Sequence, residues 1–388
     1  MPVPLRVLVA PDKFKGSLSA PEAAGAIARG VEKAAPGATI VPLPMADGGE
    51  GTVEALVAAT GGSFRTAVVN GPLGEPVRAR FGVLGDGKTA VVEMAEASGL
   101  VLVPHDRRDP SRTTTRGTGE LLLAAIEAGA RSVVLGIGGS ATNDGGAGLA
   151  QALGYRLLDA SGRELPPGGG ALDRLDRIDA SGRDRRLDGV AVAVACDVEN
   201  PLCGPSGASA VFGPQKGASP SLVATLDRNL AHFARLVARD LGRDVAEIPG
   251  AGAAGGLGAG LVAFVDGRLE RGIDLVIRAV GLEAHLRIAD LCLTGEGMLD
   301  ASSAFGKTAV GVARLARRLG RPTLALAGSL GPGAEAVLAE GITAYFSICP
   351  RPLPLDDALN HASTYLEQAA EQALRAFLAG RLGSAGSA

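Results

Sequence analysis

The stretch Leu5-Arg6-Val7-Leu8-Val9-Ala10-Pro11-Asp12-Lys13-Phe14-Lys15-Gly16-Ser17-Leu18-Ser19-Ala20-Pro21-Glu22 passes from one kind of structure to another. Its apolar, β-branched start reads as a buried strand, and the polar residues 11–17 read as a loop. Ser19 and Glu22 have the spacing of a capping box, with Pro21 placed where a helix begins. The same order returns at residues 39–59: an apolar run, the loop Met45-Ala46-Asp47-Gly48-Gly49-Glu50-Gly51, then a helix over 53–59. Strand, polar glycine loop and helix make the βα unit of a parallel sheet, whose ligands bind at the carboxyl ends of the strands.

Working outward, the C-terminal third repeats this texture, with expected strands at 289–294, 323–327 and 343–348 followed by helices at 308–319, 333–339 and 356–378. The middle differs. Residues 65–94 alternate apolar and polar positions (Val77, Ala79, Phe81, Val83) and break at Gly85-Asp86-Gly87, the pattern of antiparallel hairpins. A helix at 119–128, strands at 132–136 and 190–195, and a long amphipathic helix at 221–241 follow. The expected fold is α/β with two domains. A Rossmann-like parallel sheet is assembled discontinuously from residues 1–66 plus 285–388, and a mixed-sheet domain, 67–284, is inserted between them. The tail from 380 to 388 is small and polar and is expected to be disordered.

Composition narrows the function. The 388 residues carry 38 Lys and Arg against 41 Asp and Glu, so no basic surface for nucleic acid is implied. Aromatics are 3% and Trp is absent, which leaves no platform for stacking bases. Cys196, Cys203, Cys292 and Cys349 form no Cys-x-x-Cys pair and read as free thiols of a reducing cytosol. No apolar run is long enough for a membrane span, and the N-terminus reads as a strand rather than a signal peptide, so a cytoplasmic location is expected. The four histidines lack metal-ligand spacing, and no G-x-S-x-G elbow is present.

The chemistry is expected in the loops. Gly136-Ile137-Gly138-Gly139-Ser140-Ala141-Thr142-Asn143-Asp144-Gly145-Gly146 runs into an expected helix at 147–153. There, glycine amides and a helix N-terminus would cradle a phosphate, with Gly138, Gly139, Ser140, Asn143 and Asp144 as candidates. Gly250-Ala251-Gly252-Ala253-Ala254-Gly255 matches G-x-G-x-x-G, but no strand precedes it; close helix packing or a loop approaching a nucleotide fits better. Gly295 and Glu296 end a strand, and Lys307 opens the next helix. Asp12 with Lys13 and Lys15, Asp47 with Glu50, Asp197 with Glu199 and Asn200, and Glu296 with Asp300 are acids at loop positions. Phosphoryl transfer needs such a set, namely carboxylates for Mg²⁺ and for the attacking hydroxyl, cations for phosphate charge, and amides for the remaining oxygens.

Together the segments at 10–19, 44–52, 136–146, 196–202, 204–217 and 294–307 resemble the bacterial glycerate kinase family, type I, in order and across nearly the whole chain. The resemblance implies ATP- and Mg²⁺-dependent phosphorylation of D-glycerate, at the 2-hydroxyl in most such enzymes, in a cleft between two α/β domains. Under it, Asp197, Asp47, Lys13, Asp300 and Lys307 would be catalytic, and Asp47 and Asp300 would hold the metal. Asp12, Lys15, Ser17, Glu50, Asn200 and Arg116 would bind substrate; the loop residues above, with Gly295 and Glu296, would bind nucleotide. One departure stands out. The family pattern after Gly297 is Arg, apolar, Asp, any residue, Gln, whereas this chain reads Met298-Leu299-Asp300-Ala301-Ser302. Either Arg116 or Lys307 then replaces the missing cation, or substrate preference or rate differs. The other readings are a kinase for another small hydroxy acid, 3-kinase regiochemistry, a silent sugar-acid-binding relative and a nicotinamide oxidoreductase. Assembly state stays open, a homodimer among the options.

Overall fold

A computed structural model describes residues 5–385 of the chain. The chain divides into two compact units, one made of Met1–Asp47, Glu54–Gly61 and Val276–Ala388, the other of Gly48–Val53 and Gly62–Leu275. In chain order the strands among the described residues are β1 (Arg6–Val9), β2 (Thr39–Pro42), β3 (Ser63–Asn70), β4 (Pro76–Val83), β5 (Thr89–Glu93), β6 (Ser132–Gly136), β7 (Arg156–Leu158), β8 (Arg177–Asp179), β9 (Ala191–Ala195), β10 (Arg268–Glu270), β11 (Leu291–Leu299), β12 (Thr323–Leu330) and β13 (Ala344–Ser347).

The first unit holds a five-stranded parallel sheet in the order β13-β12-β11-β1-β2. From β1 the chain moves outward to β2, and from β11 it moves the opposite way to β12 and β13. The order therefore reverses between β1 and β11, and the loops leaving their carboxyl ends diverge to leave a ligand crevice. Val7, Leu8 and Val9 are all buried, as expected for a strand with neighbours on both sides and helices on its faces. The helix Ala20–Ala34 starts with the expected capping box: Ser19 N donates to Glu22 Oε2 at 2.8 Å, and Glu22 N donates to Ser19 Oγ at 3.4 Å. It packs on the helix Ala362–Ala385 so tightly that a Cβ at Gly30 would lie 2.2 Å from the Glu367 carbonyl oxygen.

The second unit holds a mixed sheet in the order β10-β9-β6-β5-β4-β3. β3, β4 and β5 form an antiparallel meander, and β5, β6, β9 and β10 run parallel, so their carboxyl ends share one edge. Leu121, Val133, Leu135, Val194, Phe233 and Phe264 lie in one continuous apolar core under this sheet.

Several local expectations shift. β3 straddles residue 66 and pairs with β4 from Ser63 to Asn70, so the second unit takes up the chain before that point; the return to the first unit comes at Val276. The helix expected at 119–128 begins at Arg116, and that expected at 356–378 is two helices, Leu355–Asn360 and Ala362–Ala385. Gly380 is thus helical rather than part of a disordered tail, while 386–388 lie outside the described residues. No helix among the described residues is long and apolar enough to cross a membrane.

Candidate functional site

In the first unit, the loops after β1 and β11 gather a charged set at the point where strand order reverses. Asp12 N donates to the Gly295 carbonyl at 2.8 Å, tying the two strand ends together. The buried Asp12 carboxylate accepts from Lys13 N at 2.7 Å and from Thr308 Oγ1 at 2.5 Å. Burial raises its pKa, the Lys13 charge opposes that, and the negative charge of Asp47 adds to it. Glu296, on β11, is only 9% exposed, and its Oε1 is buried without a hydrogen-bond partner. Burial pushes this carboxyl up to about 7 against the opposing charge of Lys307.

Asp300 caps the short turn Ala301–Phe305, accepting from Ser302 N at 2.8 Å, Ser302 Oγ at 2.5 Å and Ser303 N at 3.2 Å. The Ser302 hydroxyl, chiefly, holds its pKa low, helped by Lys307, whose Nζ lies 3.8 Å from Oδ1. Lys307 itself occupies the N-cap position of the helix Thr308–Arg318. The structure therefore brings Asp12, Lys13, Asp47, Glu296, Asp300 and Lys307 into one electrostatic neighbourhood, together with Thr308. Lys15 is exposed on the adjoining turn, and Ser17 Oγ closes that turn on the Phe14 carbonyl at 3.0 Å. Gly295 is required for packing, since a Cβ there would meet the Leu326 carbonyl oxygen at 2.2 Å. Met298 is 47% exposed.

In the second unit, a cavity of about 380 Å³ opens where β6 and β9 end, lined by Gly138, Gly139, Ser140, Asp197, Val198 and Lys216 among others. That is within the usual size of a small-molecule site. Lys216, in Phe212-Gly213-Pro214-Gln215-Lys216-Gly217, is the residue the sequence reading passed over. It is 1% exposed, and its Nζ donates to Ser140 Oγ and to the Thr142 carbonyl, both at 2.7 Å. Burial lowers its pKa to about 7, and the charge of Asp144 opposes the shift. Asp197 lies exposed at the end of β9 and accepts from Gly272 N at 3.0 Å. An acid, a buried amine and a run of glycine amides thus face one space.

The cradle expected over residues 136–146 is filled from within at its helix-side end. Asp144, fully buried, accepts from Gly146 N at 3.1 Å, Gly148 N at 3.2 Å, and Thr115 N and Oγ1 at 2.9 Å each. The amides that would greet a phosphate already hold a carboxylate, and the loop's cavity-lining part is Gly138 to Ser140. Asn143 is buried too, its Nδ2 donating to Ser209 Oγ at 2.9 Å. The glycines after 250 serve close packing: a Cβ at Gly255 would stand 1.9 Å from the Thr142 carbonyl oxygen, and one at Gly260 2.5 Å from that of Gly145. Ala253 and Ala254 of the same segment line the cavity.

Three further candidates stand outside the cavity lining. Asn200 Nδ2 donates to the Ser206 carbonyl at 2.7 Å and holds its own loop. Arg116 pairs with Glu120 at 3.1 Å, and Glu120 in turn accepts from Asn70 N at 2.7 Å. Arg116 is therefore engaged within the second unit. Glu50 is exposed. Among the described residues no group of three or more His, Cys, Asp or Glu is arranged to hold a metal ion unaided.

A family model described as the glycerate kinase family matches residues 7–378. A curated glycerate kinase of Bacillus subtilis is 56% identical over 366 residues, covering 94% of this chain and 96% of the relative. A glycerate 2-kinase of Escherichia coli is 52% identical over 358 residues, covering 92% and 94%. A solved structure from Salmonella typhimurium, described as a glycerate kinase 2, superposes with a TM-score of 0.91 at 48% identity, covering 98% of this chain and 100% of the other.

Proposed function

Because the chain belongs to the glycerate kinase family, we propose that it transfers the γ-phosphoryl group of ATP to the 2-hydroxyl of D-glycerate, giving 2-phosphoglycerate. The observation that carries this reading is the convergence of Asp197, the buried Lys216 amine and the Gly138–Ser140 backbone on one cavity. Phosphoryl transfer asks the protein mainly to position two oxygens and to stabilise charge spread over the phosphoryl group. Asp197 orients the acceptor hydroxyl and takes its proton as the phosphorus–oxygen bond forms. Lys216 and the amides of Gly138, Gly139 and Ser140 hold phosphate oxygens.

The set in the first unit is assigned the remaining charge. Lys13, Lys15 and Lys307 neutralise the carboxylate of glycerate and the polyphosphate. Asp12, Asp47 and Glu296 fit Mg²⁺: the orphaned Glu296 Oε1 is a hard oxygen donor lacking a partner, and the mutual repulsion of Asp12 and Asp47 favours a cation. Mg²⁺ is commonly held by one or two carboxylates plus substrate phosphates, so no complete protein cage is needed. Asp300, expected to share this role, spends Oδ1 on its cap. When bound with the nucleotide, Mg²⁺ supplies neutralisation of phosphate charge.

The test is incubation with ATP, Mg²⁺ and D-glycerate followed by ³¹P NMR. A 2-phosphoglycerate resonance is expected, with Asp197→Asn slowing its appearance by roughly 10²–10⁴-fold at unchanged melting temperature. A 3-phosphoglycerate resonance would overturn the regiochemistry; intact ATP would overturn the substrate. Met298, which departs from the arginine that the resemblance implies there, favours as second reading a different small hydroxy acid, for which the same assay with a panel of acceptors is decisive.

A further inference from the structure

A second cavity, of about 640 Å³, lies in the second unit and is lined by none of the residues assigned above. Its walls include Pro72, Pro166 and Pro167, which resist collapse, and its polar lining is dominated by Arg107, Arg108 and Arg112. Arg107 is paired with Glu75 at 2.9 Å. The other two guanidinium groups have no hydrogen-bond or ion-pair partner among the described residues, and Arg108 Nε is buried in that condition. Two acids also line the space. Asp109 is committed to a turn, accepting from Ser111 N at 3.0 Å and Ser111 Oγ at 2.6 Å, and Asp106 is exposed. Arginine's planar fork matches carboxylate and phosphate oxygens, and a buried donor left without an acceptor is costly unless a ligand provides one.

We propose that this cavity binds a small organic anion carrying two acidic groups, a dicarboxylate or a phosphorylated acid, held by Arg108 and Arg112. The site is joined to the glycine-loop cavity by two short paths. Gly217, next to Lys216, packs on Arg108 so closely that a Cβ there would lie 2.4 Å from the Arg108 carbonyl oxygen. Thr113, one residue after Arg112, donates through Oγ1 to the Ala141 carbonyl at 2.8 Å, next to Ser140. Both contacts hold the two sets of lining residues in fixed places within the second unit, and neither uses a guanidinium group, so Arg108 and Arg112 stay available to an anion.

The test is calorimetric titration of the full chain with malonate and with 3-phosphoglycerate, using inorganic phosphate as the single-headed control. Saturable binding is expected for at least one two-headed anion, tighter than for phosphate, weakened at least tenfold in Arg108→Gln and in Arg112→Gln and retained in Lys216→Met. Whichever of the two probes binds more tightly identifies the source chemistry. Arg112 is exposed, so its variant keeps the test meaningful if Arg108→Gln fails to fold. Wild-type affinity in Arg112→Gln, loss of binding in Lys216→Met instead, or no uptake of either acid by the wild type overturns the proposal. None of these outcomes bears on whether D-glycerate is phosphorylated, so the two readings fail separately.

Discussion

Lys216 and Glu296 are each held near the midpoint of their titration at neutral pH, one depressed and the other raised, both chiefly by burial. A phosphate brought beside the Lys216 amine favours its charged form and raises its pKa. At pH 8 the free protein, with that amine titrating near 7, carries it mostly neutral, so nucleotide binding should take up a proton. Calorimetry of ATP binding in two buffers of different ionisation enthalpy should show this uptake in the wild type and its absence in Lys216→Met; equal uptake in both would remove Lys216 from the phosphate site. For Glu296 the sign is opposite. The folded carboxyl binds its proton near pH 7 and the unfolded one near its ordinary value of 4.5, so the folded state holds more protons in that window and loses stability as pH rises through it. Glu296→Gln should therefore stabilise the protein by about 1–3 kcal/mol at pH 8 and by little at pH 4.5, as read from denaturant melts at the two pH values. Both residues show what a sequence hides. Glu296 was picked out as an acid between two glycines, whereas Lys216 looks like one more loop lysine after Pro214-Gln215; only its 1% exposure makes it chemical.

At the level of elements, the strands and their loops were legible because buried parallel strands are short β-branched runs and their loops carry glycine and acid. The filling of the cradle was not. By sequence Asp144 belongs with the nucleotide-binding loop, yet its carboxylate takes the amides of Gly146 and Gly148, and nothing in the spacing tells an internal acid from one that faces a ligand. The glycines after 250 look like a nucleotide fingerprint for a related reason: G-x-G-x-x-G is as well suited to close packing as to a pyrophosphate. Here Gly255, at φ +70°, supports the glycine loop from behind, its Cα hydrogen facing the Thr142 carbonyl that also receives Lys216 Nζ. A methyl group at that point combines a left-handed backbone with a 1.9 Å clash. Gly255→Ala should cost about 2–5 kcal/mol of stability and, in whatever fraction stays folded, weaken ATP binding, because the acceptor of Lys216 must move. Thermal melts and ATP titration of the variant check both halves; an unchanged melting temperature would mean that the loop yields freely.

For the whole molecule, the return of strand–loop–helix texture in the last third suggested a discontinuous sheet, and the reason is visible in the register. β1 pairs with β2 on one side and with β11 on the other, so the central strand of the first unit draws its neighbours from chain positions separated by the entire second unit. Its core likewise joins Val7, Ile27 and Val31 to Leu291, Leu326 and Leu366. Neither end of the chain holds enough strands to bury that core alone. The second unit is different: all of β3 to β10 and the apolar cluster from Val69 to Val265 fall within Gly62–Leu275. A fragment spanning residues 62–275 should therefore fold by itself, whereas 1–61 and 276–388 expressed separately should not. Circular dichroism with thermal melting distinguishes the cases: a cooperative transition is expected for the middle fragment and none for either end piece, and mixing the two end pieces should restore one, since together they supply all five strands of the parallel sheet. A middle fragment without a transition would mean that the Gly48–Val53 segment, whose Gly48 lies so close to Ala195 that a Cβ would stand 2.4 Å from it, is needed to complete the core and not merely to line the cavity.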